Sequence, residues 1–160
     1  MTMHTTSLDV AEDATACAFF QVGLALGVLR EDASREWAYA RIEARDTPAI
    51  EIIEIATARD RNAALEALQA VTAHADWQAA GRWLLEELLA QFQSGQRSAL
   101  DTSRAAMQVA RATQLPEDVY YAFDGLDDEL VLLANGIYGT VAGIDAALVD
   151  ALKQHAGSVG

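Results

Sequence analysis

Between Asp76 and Gly95 lies the stretch WQAAGRWLLEELLAQFQ, in which Trp77, Ala80, Gly81, Leu84, Leu85, Leu88 and Phe92 recur every three or four residues. That spacing follows the 3.6-residue helical turn and lays a wide apolar stripe along one side of a long helix. Asp76 can accept from the free amides of the first turn, and Gly95 can end the helix in a left-handed conformation. So broad a stripe must be covered by neighbours, which predicts the central helix of an all-helical core.

Similar patterns run along most of the chain. Only two prolines, Pro48 and Pro116, interrupt 160 residues of which 52% are hydrophobic, so helices are expected with short breaks. A first helix, capped by Ser7 or Asp9, runs to about Leu26, with Phe19, Phe20, Val22, Gly23 and Leu26 packed and Gly27 as its stop. Asp32 opens a second, ASREWAYARIEAR, with Trp37 and Ile42 inward. Thr47 as N-cap and Pro48 in the first turn then start AIEIIEIA. Ile50 and Ile52 alternate as in a strand, but Ile53 and Ile55 break the alternation, so this segment is read as a short helix.

Asp60 or Asn62 caps a fourth helix reaching His74, with Leu65, Leu68 and Val71 inward. After the central helix, a sixth spans about Ser98 to Thr113, with Leu100, Met107 and Ala110 inward. Pro116 starts a short helix, EDVYYAF, which Gly125 interrupts. Asp127 caps the next, DELVLLA, which ends at Asn135-Gly136. Thr140 to His155 form the last helix, with Val141, Ile144, Leu148 and Leu152 inward. The expectation is one compact all-α domain, an irregular bundle of seven or eight short helices over residues 8–160, after a flexible tail at 1–7.

Cys17, the lone cysteine, permits no intramolecular disulfide and sits in the apolar context ATACAFF, where a buried, inert thiol is expected. The first residues, MTMHTTSLDVAEDATA, lack basic groups and do not read as a signal or transit peptide. Apolar runs fall short of the roughly 20 residues that a membrane span needs. A cytoplasmic protein with no membrane partner is the resulting expectation.

Charge is the feature closest to function. The net charge is −13, and residues 113–160 hold eight carboxylates (Glu117, Asp118, Asp124, Asp127, Asp128, Glu129, Asp145 and Asp150) against one cation, Lys153. Such a field repels nucleic acid and attracts basic surfaces. The arginines are dispersed, with no basic stripe, so direct nucleic-acid binding is not expected.

Catalytic signatures are missing. His4, His74 and His155 are scattered singly, and nothing reads as H-E-x-x-H, G-x-S-x-G or a phosphate loop ending in GK[ST]. Glu51 with Glu54, and the Glu86-Glu87 neighbours, are the nearest approach to carboxylate chemistry. The E-E-x-x-E and E-x-x-D pattern of all-helical nucleotide pyrophosphatases is incomplete here, because Leu-Leu-Ala-Gln follows Glu86-Glu87. The acids from Asp124 to Glu129 lack the alternate-position ligands of an EF-hand loop. No catalytic residue, metal ligand or cofactor is assigned.

What the acidic segment does contain is aromatic residues: Tyr120, Tyr121, Phe123 and Tyr138. Tyrosines mixed with carboxylates suit a surface that receives a basic protein, although each could equally fill the core. The candidate partner-binding residues are Glu117, Asp118, Tyr120, Tyr121, Asp124, Asp127, Asp128 and Glu129.

Two stretches, WAYARIEARDTPAIEIIEIA (37–56) and DDELVLLANGIYG (127–139), resemble segments of small all-helical immunity proteins from bacterial polymorphic toxin systems. The resemblance covers about a fifth of the chain and transfers no catalytic residue. It implies a cytosolic antidote that binds and occludes a cognate toxin, and the acidic segment adds that the toxin is basic. A nuclease, which needs a cationic cleft, fits the charge. Two other readings stay open: a small magnesium-dependent nucleotide hydrolase using carboxylates, and a helical adaptor that dimerises through apolar surface. Oligomeric state is not legible.

Overall fold

Eight helices follow one another in the computed structural model, which describes residues 13–136 and 141–156. They are α1 (Asp13–Ala25), α2 (Ala33–Ala44), α3 (Ile50–Ala56), α4 (Arg61–Gln69), α5 (Trp77–Gln93), α6 (Ala99–Ala112), α7 (Glu117–Ala134) and α8 (Val141–Ala156). No strand occurs among the described residues, so the Ile-rich segment is helical and the all-α expectation holds. The proposed caps Ser7 and Asp9, the tail at 1–7 and Tyr138 lie outside the described residues.

Helix α5 is the hub. It packs against α1, α6 and α8, and Ala80, Leu84, Leu85 and Leu88 are completely buried. The Asp76 side chain accepts from the Ala79 amide at 3.0 Å, while the Asp76 amide donates to Thr15 Oγ1 at 2.9 Å, which ties the start of α5 to α1. Gly81 has a steric reason: a Cβ there would collide with the Thr113 hydroxyl, so α5 and the end of α6 come together over a missing side chain.

Helix α1 is buried on nearly every side, from Thr15 to Phe20 and from Val22 to Leu24, as befits a helix apolar all round. Phe19 meets Phe20 and Trp83 edge to face, with centroids 5.1 and 6.1 Å apart. Gly27, at φ +74°, closes the helix as expected.

Two helix boundaries differ from the sequence reading, the start of α3 and the end of α4, and at a third the expected start lacks a capping bond. Helix α3 begins at Ile50, after an extended Ala49 whose carbonyl takes the Ile52 and Ile53 amides. Thr47 is therefore not its N-cap, nor Pro48 in its first turn. The start places Ile52 and Ile55 inward. Asp32 does sit at the N-cap of α2 but makes no capping bond, and lies 3.3 Å from Arg30 Nε instead. Helix α4, capped by Asp60, stops at Gln69, leaving His74 in a left-handed turn at φ 68°.

The largest difference is α7. It is a single helix from Glu117 to Ala134, so Gly125 interrupts nothing and Asp127 caps nothing. Glycine costs a helix only about 1 kcal/mol. Here one inward stripe continues straight through it: Val119, Phe123 and Leu126 are buried, with Leu130 and Leu133 half-buried. That shared stripe holds both halves against α6 and α8. In α6 the buried side is set by Thr102, Ser103, Ala105, Ala106, Val109 and Ala110; Leu100 and Met107, expected inward, are only half-buried. In α8, Ile144, Leu148 and Leu152 face inward as expected, whereas Val141, at the helix end, is exposed.

Candidate partner-binding surface

Helices α6 and α7 form an antiparallel hairpin joined by a tight turn in which Gln114 is left-handed. All eight candidate residues lie on α7, and the hairpin divides them into two groups. Tyr120 and Asp127 turn toward α6. The Arg111 guanidinium lies over the Tyr120 ring, 4.5 Å from its centroid, and Arg104 Nε donates to Asp127 Oδ1 at 2.9 Å. Both pairs span seven residues on their own helix, so each couple shares a helix face. The seven-residue spacing of Arg104/Arg111 is matched in the sequence by Tyr120/Asp127 and equally by Tyr121/Asp128, so spacing alone does not choose between them.

The other six candidates look outward. Glu117, Tyr121, Asp124 and Asp128 follow one another at i, i+4, i+7 and i+11, along one stripe, with Asp118 and Glu129 beside it. Asp124 is half-buried and the rest are exposed; Tyr121 has 62% of its surface in solvent. The five carboxylates have no ion-pair partner among the described residues, and α7 itself contains no Lys or Arg. Glu117 and Asp118 complement the positive end of the helix dipole. Asp124 and Asp128 have no such benefit, and as an i, i+4 pair of like charges they repel.

Within this surface Gly125 is exposed, and a Cβ added there would meet nothing within 4 Å. Tyr121 is steadied by its neighbour: the two tyrosine rings meet edge to face at 5.5 Å. The result is an acidic helix face with one projecting aromatic ring and bare backbone beside it at Gly125. Elsewhere in the acidic segment, Asp145 is half-buried and Asp150 exposed, both on α8.

The remaining chemical candidates do not converge. Glu51 and Glu54 stand exposed on α3, and Glu86 and Glu87 are half-buried on α5. No three His, Cys, Asp or Glu side chains among the described residues are grouped to hold a metal ion. His155 lies in the last turn of α8 with its ring 6.2 Å from Phe123. Cys17 is fully buried, and burial, helped by the nearby Asp13 charge, pushes its thiol up to about 12. A polar cluster that sequence reasoning missed joins α1 to α2. Arg45 donates twice to the Asp13 carboxylate, at 2.6 and 2.9 Å. Arg41 approaches the same group at 3.4 Å and lies over Trp37. The hydrogen bonds to Asp13 raise the Arg45 pKa above its ordinary value; this cluster is a structural clamp.

No family model matches the chain, and neither the curated proteins nor the solved structures searched contain a match.

Proposed function

We propose that this protein is an immunity protein, which binds a cationic toxin through the outer face of α7 and covers its working cleft. The observation that carries the reading is the set of five carboxylates around exposed Tyr121, none paired internally among the described residues. A monomer gains nothing from placing Asp124 and Asp128 where they repel, whereas a basic partner would neutralise both. Long-range attraction speeds encounter, and a buried aromatic ring slows dissociation. Speed matters for an antidote, because inhibition must precede damage. A toxin that cleaves nucleic acid presents a surface of this complementary charge, since its substrate is a polyanion. The resemblance of residues 37–56 and 127–139 to immunity proteins points the same way.

The test is genetic and then physical. The reading frame adjoining this one is expressed alone and together with this chain, and growth is followed. Relief of toxicity by the wild-type chain, weakened by joint Asp124→Lys and Asp128→Lys substitution, is the expected result. Association with that product should slow in the substituted chain and lose salt dependence. An adjoining product that is harmless, or whose toxicity persists with the wild-type chain, would falsify the proposal.

A further inference from the structure

The two faces of α7 carry the same pattern, displaced by one residue. Tyr120 and Asp127, seven apart, are filled by Arg111 and Arg104 of α6. Tyr121 and Asp128, also seven apart, form a second copy rotated by about 100° around the helix. It faces solvent and lacks ion-pair partners among the described residues. The first copy thus displays, inside the molecule, what such a pair accepts: two arginines one heptad apart on an antiparallel helix. One guanidinium stacks on the ring, and the other hydrogen-bonds to the carboxylate.

We infer that the Tyr121/Asp128 pair receives a helix of the partner bearing two arginines seven residues apart, running antiparallel to α7 as α6 does. This rests on the partner-binding reading of the same face and specifies it further. Gly125 belongs to the device. It lies midway between Tyr121 and Asp128 along the axis, is exposed, and has no neighbour that requires a missing side chain. In a helix interior glycine is the poorest residue after proline. A close-packed incoming helix supplies the reason, because a bare backbone lets another element approach. The surrounding Asp118, Asp124 and Glu129 match the charge of an arginine-bearing helix. They also disfavour an acidic one. Arg104 and Arg111 are already engaged, so the occupant comes from another protein rather than from α6 of a second copy.

Two alanine-rich helical peptides of equal charge test this, one with arginines seven apart and the other with arginines five apart, titrated into the full chain at low salt. The seven-spaced peptide is expected to bind roughly threefold more tightly, because the five-spaced one can form either the cation–π contact or the ion pair but not both. Its amide shifts should map to residues 118–132. The preference should vanish in Tyr121→Ala, in Asp128→Asn and in Gly125→Leu, each checked for helix content by circular dichroism, and survive in Glu51→Gln. Equal binding of both peptides overturns the heptad-matched dock and leaves the cationic-partner reading intact. Absence of binding by either removes both. A preference that persists in Tyr121→Ala places the dock elsewhere and overturns the inference.

Discussion

Arg104 Nε donates to Asp127 Oδ1 at 2.9 Å, joining α6 to α7 across 23 positions of chain. The carboxylate is the sheltered member, with 17% of its side chain exposed against 55% for the guanidinium. Asp127 is therefore part of the scaffold that presents the acidic face. Screening limits the energy: a pair half in solvent contributes about 0.5–1 kcal/mol. A double-mutant cycle of Arg104→Ala and Asp127→Asn in urea should return a coupling of about that size, shrinking with added salt. In partner binding, Asp127→Asn should matter less than Asp128→Asn. The reverse order would mean that the carboxylate leaves Arg104 to meet the partner.

Two of the glycines inside described helices, Gly81 and Gly125, should respond oppositely to alanine. At Gly125 the new methyl group meets nothing, so only the backbone preference changes, and Gly125→Ala should stabilise by about 1 kcal/mol. For a chain of this size that raises Tm by roughly 2–4 °C. At Gly81 the methyl meets the buried Thr113 side chain, whose hydroxyl is fixed by donation to the Val109 carbonyl at 2.7 Å. Gly81→Ala should destabilise by about 1–3 kcal/mol, as overpacking does. Calorimetric melting of both variants is sufficient, and a gain at Gly81 would show that α5 and α6 are free to separate.

Cys17 gives a signed pH prediction. In the folded chain burial holds the thiol protonated up to about 12, whereas the ordinary value is 9.0. The unfolded chain therefore loses this proton first as pH rises. The contribution to stability is complete below pH 9, falls as pH climbs between the two values, and is lost above the upper one. Cys17→Ala removes this component, so its stability should decline less steeply than wild type from pH 9 to 10.5 in denaturant titrations. A thiol reagent at pH 8 should label wild type only as fast as the chain opens. Rapid labelling of the native protein would contradict the burial of Cys17.

Legibility in the sequence followed the reach of each interaction. The central helix was visible with its cap and stop because Asp76, the stripe and Gly95 act within a few residues of one another. Asp60 was legible for the same reason. Boundaries set by distant packing were not. Gly125 and Asp127 look like a break followed by a cap, and only burial of Phe123 and Leu126 in the core, one on each side of Gly125, carries α7 through them. Thr47-Pro48 carries a good local start signal, yet burial of Ile52 and Ile55 begins α3 two residues later. At the candidate surface, composition identified the acidic residues but not their allegiance. Which of two adjacent tyrosines faces an arginine depends on the angle at which α6 crosses, a quantity no single segment encodes.

That dependence on distant partners is testable at the end of α1. The last carbonyls of α1 and of the turn that follows lack helical N–H donors, and side chains from two other helices and a loop serve them. Arg61 donates to the Leu24 and Ala25 carbonyls at 3.2 and 3.0 Å. Gln91 Nε2, on α5, donates to the Val28 carbonyl at 2.7 Å. Arg97 orients that amide by donating from Nε to Gln91 Oε1 at 2.9 Å and itself reaches the Gly27 carbonyl. Gln91→Leu keeps the bulk and leaves a partly buried carbonyl unserved, so it should cost about 1–3 kcal/mol. Arg97→Ala removes the orienting group but leaves the amide in place, and should cost less. The order Gln91→Leu worse than Arg97→Ala, read from urea midpoints, is the expected result. In Gln91→Leu, hydrogen exchange should rise first at the Leu26, Val28 and Leu29 amides, which bond back to Val22 and Gly23 at the end of α1. A reversed order would assign the fastening of this turn to Arg97 and its bond to Gly27.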